Sequence, residues 1–391
     1  MALTKVSTGV VDMSASTGGL VIAKGTTAQQ LICNPPTTNN LGSIRENIDS
    51  GVNKVEVCTS TGWQFLEEAG PSFISLTVDY LVVAGGGGGG AYSRINTSLG
   101  GTGGGAGGYR TSFGAGNVNG GNTAVENTLT LATGSPGYTV TVGAGGAGGP
   151  VNPTPTNAST NPTIYADQGD NSVFHTITST GGGGGYEPFY GFSATTLRGG
   201  SNAGSGGNGI AAVSYTTSPV QGFIGGRNTT YSSPFGSGGG GGASSVGGNG
   251  GSSSLGGGNG GAGFSNQISG TAVDYAGGGG GSVNKDQGVA GTATFGGGDG
   301  NRNGAGYDGT LNTGGGGGGA SGPDTYTSYK GGDGGSGVVI LRFPISFAAP
   351  IESNISPAGG LTTSVSVDGG YRVVTYTCTT NATVSATITF A

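Results

Sequence analysis

Six consecutive glycines follow an apolar segment directly in the stretch SLTVDYLVVAGGGGGG at Ser75–Gly90. Leu81–Ala84 is apolar at every position, which predicts a strand buried on both faces. Six glycines in a row cannot form a helix or an ordinary strand without penalty, because each loses about 0.5–1 kcal/mol relative to alanine. Such runs are therefore either disordered or packed in an arrangement that only glycine permits.

An extended left-handed threefold helix is the arrangement that suits such runs. It rises about 3.1 Å per residue, makes no internal hydrogen bonds and points its backbone N–H and C=O groups outward. Without side chains, neighbouring rods of this kind can approach closely and bond to one another. Glycine supplies 95 of the 391 residues while only 8% are charged, which argues against the usual charge-rich disorder. We therefore predict an all-β fold with polyglycine II-like rods, flanked by β-sheet ends and with almost no α-helix.

The pattern of strands and glycines divides the chain into three predicted parts. Residues 1–70 have ordinary turns and a predicted hairpin, Asn53–Val57 with Gly62–Phe65. Residues 71–347 form the glycine-rich body, in which the strand before Gly85 is expected to pair with Gly337–Leu341 as a central strand. Residues 348–391 contain three alternating strands, expected to be a small C-terminal β region.

Two inserts within the glycine-rich body are also strand-like. They are Asn127–Thr133 with Tyr138–Val142, and Ser172–Thr178. We expect these strands to join the sheet at one end of the glycine rods.

Composition disfavours several classes of function. The net charge of −6 is unsuited to nucleic acid, which needs a basic surface, and no apolar run is long enough to span a membrane. The single histidine, His175, lies within a predicted strand and no nucleophile motif accompanies it, so we expect no enzyme activity. The three cysteines fit neither a disulfide framework nor a zinc site. No cofactor is expected.

Two short aspartate motifs are considered as metal sites. The segments around Asp299 and Asp333, each Gly-Gly-Asp-Gly, are distantly similar to calcium-binding nonapeptide repeats. The tandem spacing of those repeats is missing, so we interpret both residues as turn aspartates and expect no metal.

The segment LGSIRENIDSGVNKVEVCTSTGWQFL at Leu41–Leu66 resembles a short β-module of tailed-phage fibre and other virion proteins. The resemblance implies that residues 1–70 attach the protein to the virion. Its candidate attachment residues are Ile44, Arg45 and Trp63.

The glycine-rich body resembles the glycine-rich domain of phage tail-fibre and adhesin proteins of the polyglycine-helix type. The segments that carry this resemblance are Asp79–Gly85, Gly103–Tyr109, Tyr138–Gly146 and Gly334–Arg342. It implies a virion location, a homotrimer, and variable loops that contact a host surface glycan or outer-membrane protein.

Aromatic residues in the inserts are the candidate receptor contacts, because exposed aromatic rings stack on sugar faces. They either contact a ligand or cover the sides of the glycine bundle. These candidates are Tyr186, Glu187, Phe189, Tyr190, Phe192, Tyr326 and Tyr329.

The leading hypothesis is a non-enzymatic fibre or adhesin subunit, bound to other virion tail or fibre proteins. A head, neck or tail structural or decorating protein without receptor binding is the alternative. A secreted cell-surface matrix protein is a third hypothesis, which the lack of an apolar signal-like start disfavours.

Overall fold

The chain divides into two compact units, Met1–Phe73 and Ile74–Ala391, and each is described by itself. Besides the backbone of four strands before residue 66, the computed structural model describes residues 75–92, 100–114, 118–134, 137–151, 165–186, 198–205, 218–228, 236–251, 256–284, 288–322 and 327–391. No α-helix occurs in these residues; a 3₁₀ turn at Gly120–Asn122 is their helical element. The predicted all-β fold is confirmed.

The part of the first unit that the structure describes is one four-stranded sheet. Its strands in spatial order are β1 (Lys24–Gly25), β2 (Ile44–Asn47), β3 (Lys54–Thr59) and β4 (Gly62–Phe65). β3 and β4 are antiparallel, with Cys58 opposite Trp63, so the predicted hairpin is confirmed.

The described residues of the second unit form fifteen strands. They are β5 (Ser75–Val83), β6 (Tyr109–Thr111), β7 (Val118–Asn119), β8 (Thr123–Ala124), β9 (Leu129–Ala132), β10 (Tyr138–Val142), β11 (Ser172–Phe174), β12 (Ile177–Ser179), β13 (Phe264–Asn266), β14 (Val273–Tyr275), β15 (Val338–Pro344), β16 (Ile351–Ser356), β17 (Leu361–Asp368), β18 (Tyr371–Cys378) and β19 (Val384–Thr389). One sheet has the order β17-β18-β15-β5-β6, with β9 also paired to β5. The other has the order β12-β11-β10-β19-β16, and β7–β8 and β13–β14 are separate two-stranded sheets.

The pairing of β5 with β15 agrees with the sequence prediction. The two strands are antiparallel, with Val83 opposite Val338 and Asp79 opposite Arg342. One face of the pair packs against the second sheet, where its neighbours include Val140, Phe174 and Phe390. The opposite face packs against the following side chains: Ala106, Tyr109, Ala243, Ile268, Tyr275 and Ala276. Both faces are covered, which explains why the strand sequences are apolar at successive positions.

The C-terminal residues are not a separate part, which corrects the predicted boundary at residue 348. β18 pairs with β15 along its length, and β19 pairs with β10 from Tyr138 to Val142. The strands contribute Val374, Tyr376, Ile388 and Phe390 to the core between the two sheets. Alternating polar and apolar residues identify strands but do not specify their partners. The pairing of the C-terminal strands with β10 and β15 could therefore not be predicted from the sequence.

The segment Ser172–Thr178 is a hairpin rather than the single predicted strand. β11 and β12 are antiparallel, and the chain turns at His175, whose φ is 51°. The exposed imidazole ring of His175 packs edge-on against Tyr138, with centroids 5.1 Å apart. His175 is therefore a turn residue.

Beyond the strands, the glycine-rich segments form a lattice of extended chains, here named the glycine lattice. Gly85–Gly90 lies within it and is surrounded by six other segments. Its N–H groups donate to three of these neighbouring segments in rotation, so that every third residue donates to the same segment. Gly87 and Gly90, for example, both donate to the segment 102–105, each at 2.8 Å. Its carbonyl groups accept with the same period from residues 146–149, 182–185 and 317–320. A period of three is that of the extended threefold helix, and the predicted rods are confirmed.

The same arrangement recurs around four further segments. Each is hydrogen-bonded through its backbone to six neighbours: residues 101–108, 236–243, 276–282 and 314–321. A Cβ atom placed on Gly104 would lie 2.2 Å from the carbonyl oxygen of Gly87, and one on Gly87 would lie 2.1 Å from that of Gly183. The lattice spacing therefore excludes any side chain at these positions, and glycine is required by close approach of backbones.

Asparagine and aspartate side chains cap backbone donors of the glycine lattice. Asp333 Oδ1 accepts from Gly148 N at 2.6 Å, and Asp299 Oδ1 accepts from Ala293 N at 2.6 Å. Within the described residues, no group of three or more metal-ligating side chains is present. Asp299 and Asp333 thus satisfy amide donors, a role related to the turn role predicted for them.

Buried tyrosines predict a loss of stability in alkali. Burial raises the pKa of Tyr275 to about 12 and raises the pKa of Tyr80 and Tyr376 further. An unfolded tyrosine loses its proton near pH 10, while the folded Tyr275 keeps it, so the unfolded state binds fewer protons above that pH. The unfolding free energy should be unchanged by this residue below pH 10 and fall by about 1.4 kcal/mol per pH unit between 10 and 12.

Urea denaturation of Ile74–Ala391 at several alkaline pH values, with ultraviolet absorbance of tyrosinate, measures this loss. Tyr275→Phe should reduce the slope of stability against pH, whereas Tyr371→Phe, at an exposed position, should leave it unchanged. Equal slopes for all three proteins would contradict the assignment.

Candidate recognition surface

Five segments of the glycine lattice reach a common level at the end remote from the strands. Ala320 N donates to Gly90 O, Gly101 N donates to Ala320 O, Ser282 N donates to Gly101 O, and Ser237 N donates to Ser282 O. At the opposite end, Gly85–Gly90 continues directly from β5. The lattice therefore has one end fixed to the sheets and one end where chain segments turn.

The described chain leaves and re-enters the lattice repeatedly at this second end. We name it the loop-bearing end. At one such place, Tyr92 and Tyr329 bond to each other through both backbone groups at 2.9 Å. Sequence segments rich in Ser, Thr, Asn and Pro connect described residues at this end: 93–99, 152–164, 229–235 and 252–255, with the shorter polar segments 285–287 and 323–326. Such residues carry hydroxyl and amide groups suited to polar recognition.

A groove of about 300 Å³ is open at the loop-bearing end. It is lined by residues 288–292 and 299–302 and by Tyr307, and these include the larger residues Val289, Asp299 and Arg302. Backbone bonds fix its floor: Gly300 N donates to Gly291 O, and Gly291 N donates to Gly281 O. Val289 and Tyr307 have 76% and 60% of their surfaces exposed. The groove joins apolar surface to charged and hydrogen-bonding groups on a rigid support.

Sequence reasoning did not identify this groove. The sequence predicts only a turn role for Asp299, and no pattern in it marks Arg302 or Tyr307. The local segment DGNRNGAGY at Asp299–Tyr307 does place polar and aromatic side chains close together. A search for such mixed clusters between glycine runs could have found it.

Two of the predicted receptor-contact residues fall in the described chain. Tyr186 is fully buried and packs with Ala203 and Tyr165. Because a buried ring cannot contact a receptor, this corrects its prediction as a contact residue. Tyr186 directly follows the glycine segment 181–185. Tyr329 is half-buried at the loop-bearing end. The remaining candidates lie outside the described residues: Glu187, Phe189, Tyr190, Phe192 and Tyr326.

The predicted attachment residues lie in the sheet of the first unit. Ile44 and Arg45 are in β2, opposite Val57 and Glu56 of β3, and Trp63 is in β4. Their role in attachment stays a prediction.

Lys330 and Asp333 form an ion pair among the described residues near the loop-bearing end. Lys330 Nζ lies 2.7 Å from Asp333 Oδ1, and both side chains are partly exposed. Exposed pairs of this kind contribute about 0–1 kcal/mol. The described residues include no helix that is long and apolar enough to cross a membrane.

The fold and this end together define a class: an all-β protein whose strands support a glycine lattice with turns at its free end. The family described as Glycine-rich domain matches residues 70–344, which is more than half of the chain, and the protein belongs to it. The match includes β5, β15 and the whole lattice between them. No curated protein matches the sequence.

Proposed function

We propose that this protein is a non-enzymatic virion protein, a tail-fibre or adhesin subunit of a tailed phage that contacts the host surface. The loop-bearing end carries this proposal. Loops that vary in sequence on a rigid scaffold are a common basis of recognition. The glycine lattice fixes the ends of these loops through backbone bonds, so their sequences can change without changing the support.

The partners follow from the same proposal. A host surface glycan or outer-membrane protein would meet the loop-bearing end, and other tail or fibre proteins would bind residues 1–70 through Ile44, Arg45 and Trp63. The subunit is proposed to act as a homotrimer in the virion. The resemblance of both regions to phage virion proteins supports this assignment.

Cell binding by purified protein tests the proposal. Labelled full-length protein is expected to bind susceptible bacterial strains and to compete with infection by the phage that carries it. Replacing residues 93–99 and 323–326 by short Gly-Ser linkers should weaken binding and competition. The same linker inserted between Gly369 and Gly370, at the opposite end of the unit, is the matched control and should have no effect.

Each outcome separates the candidate functions. Wild-type protein that neither binds nor competes, yet is present in purified particles, would favour the structural role without receptor binding. Binding that is unchanged by both loop replacements would place recognition elsewhere on the chain.

A further inference from the structure

We propose that the groove formed by Val289, Asp299, Arg302 and Tyr307 binds a neutral hexose unit of a surface oligosaccharide. The proposal rests on the proposed function and names the class of ligand. It assigns a site to side chains that have no role in the lattice beyond the cap made by Asp299. The groove is part of the loop-bearing end, because Gly281 O, which accepts from Gly291 N, belongs to the level next to Ser282.

The first argument is the exposed ring of Tyr307. Its backbone is held firmly, since Tyr307 N donates to Asp299 O at 3.1 Å and Gly318 N donates to Tyr307 O at 2.8 Å. Its side chain is 60% exposed and its hydroxyl has no partner among the described residues. A rigid ring on a fixed backbone offers a flat apolar face at small entropic loss, which suits stacking on the C–H face of a pyranose ring.

The second argument is the set of available hydrogen-bonding groups. Arg302 Nη1 lies 3.5 Å from Gly288 O, at the limit of a hydrogen bond, so the guanidinium has donors to spare. Asp299 uses Oδ1 as a cap, while Oδ2 has no partner in the described part of the chain. A carboxylate and a guanidinium that line the same groove present acceptors and paired donors, which suit the hydroxyl groups of a hexose.

The third argument is charge. Arg302 and Asp299 carry opposite charges in the same groove, so an anionic sugar would gain from one and lose to the other. Their balance favours a neutral sugar. The fixed floor of lattice backbone means that little ordering is required on binding, which favours affinity.

A glycan array carrying neutral and acidic bacterial oligosaccharides, followed by calorimetry with the best neutral oligosaccharide, tests this inference. Wild-type protein is expected to bind neutral hexose-containing glycans. Tyr307→Ala should weaken binding at least tenfold, as expected for loss of a central aromatic contact, and Tyr307→Phe should retain most of it. Asp299→Asn keeps the Oδ1 cap on Ala293 but removes the charge, and should also weaken binding about tenfold.

Tyr371→Ala is the matched control, since Tyr371 is an exposed tyrosine on β18. It should bind as the wild type does, and circular dichroism should show all four variants folded. Wild-type affinity in both Tyr307→Ala and Asp299→Asn would overturn the groove assignment while leaving cell binding by the loops intact. Binding of acidic glycans alone, or cell binding abolished by protease treatment of the cells, would also overturn it. Loss of all cell binding by wild-type protein would instead contradict the proposed function.

Discussion

Gly104→Ala is expected to destabilise the second unit by about 3 kcal/mol or more. The new methyl group would lie 2.2 Å from the carbonyl oxygen of Gly87 and 2.6 Å from that of Gly88. Both obstacles are backbone atoms that are themselves held on other sides by the lattice, so neither can move without breaking further hydrogen bonds. Urea denaturation of Ile74–Ala391, followed by circular dichroism, measures the change.

The control for this variant is Gly370→Ala, where an added Cβ meets nothing within 4 Å. It is expected to change stability by less than about 0.5 kcal/mol. Alanine as such is tolerated in the same segment, because Ala106 lies only two residues from Gly104 and is fully buried against the β5–β15 face. The effect therefore depends on position within the lattice, and equal stability of the two variants would contradict the close-packed arrangement.

Amide hydrogen exchange gives a second measurement on the unmodified protein. Gly87 N and Gly104 N donate to carbonyl groups at 2.8 Å in the interior of the lattice. Their exchange should be slowed to the rate of global unfolding, as for core strands. Exchange at the rate of an unstructured peptide would contradict an ordered lattice.

Ending the chain at Phe347 is expected to abolish folding of the second unit. This truncation removes β18 from its place beside β15 and β19 from its place beside β10. Five buried aliphatic or phenylalanine side chains leave the core with them: Val373, Val374, Val384, Ile388 and Phe390. Their burial is worth about 8–15 kcal/mol together, comparable to the whole stability of a typical domain of about 5–15 kcal/mol.

Deletion of residues 1–73 is the matched control for the truncation. Because the chain divides into compact units between Phe73 and Ile74, the remaining protein is expected to stay folded. Calorimetry and circular dichroism of both shortened proteins check the prediction. A cooperative unfolding transition in the protein that ends at Phe347 would show that the C-terminal strands are dispensable, as the sequence-based division implied.

Part of the fold could be predicted because its signals are local. The uninterrupted apolar run at Leu81–Ala84 predicts burial on both faces, and the structure covers both faces. The six glycines after it predict the threefold rods for a steric reason, since a Cβ at Gly87 would lie 2.1 Å from a carbonyl oxygen. Hairpins such as β3–β4 also follow from alternation across a short turn.

The candidate site could be predicted far less well. The cluster of aromatic residues after its glycine run predicts Tyr186 as a receptor contact. In the structure its ring is buried beside Ala203. The groove at Asp299 and Tyr307 was missed because its walls come from segments whose adjacency depends on lattice packing. The sequence shows where aromatic and polar side chains occur. Whether such a side chain is exposed to solvent depends on which segments of the fold surround it.

The sequence by itself determined the structural elements of this protein, which are apolar strands, glycine rods and polar connecting segments. Each element depends on the side chains that are present or absent in its own segment. Tertiary structure alone decided which rod lies beside which, and that strands from the C-terminal 44 residues complete both sheets. The physical reason is that the lattice is held by backbone amides, which are identical in every glycine. Neighbours are therefore chosen by the three-dimensional path of the chain and not by any side-chain pattern.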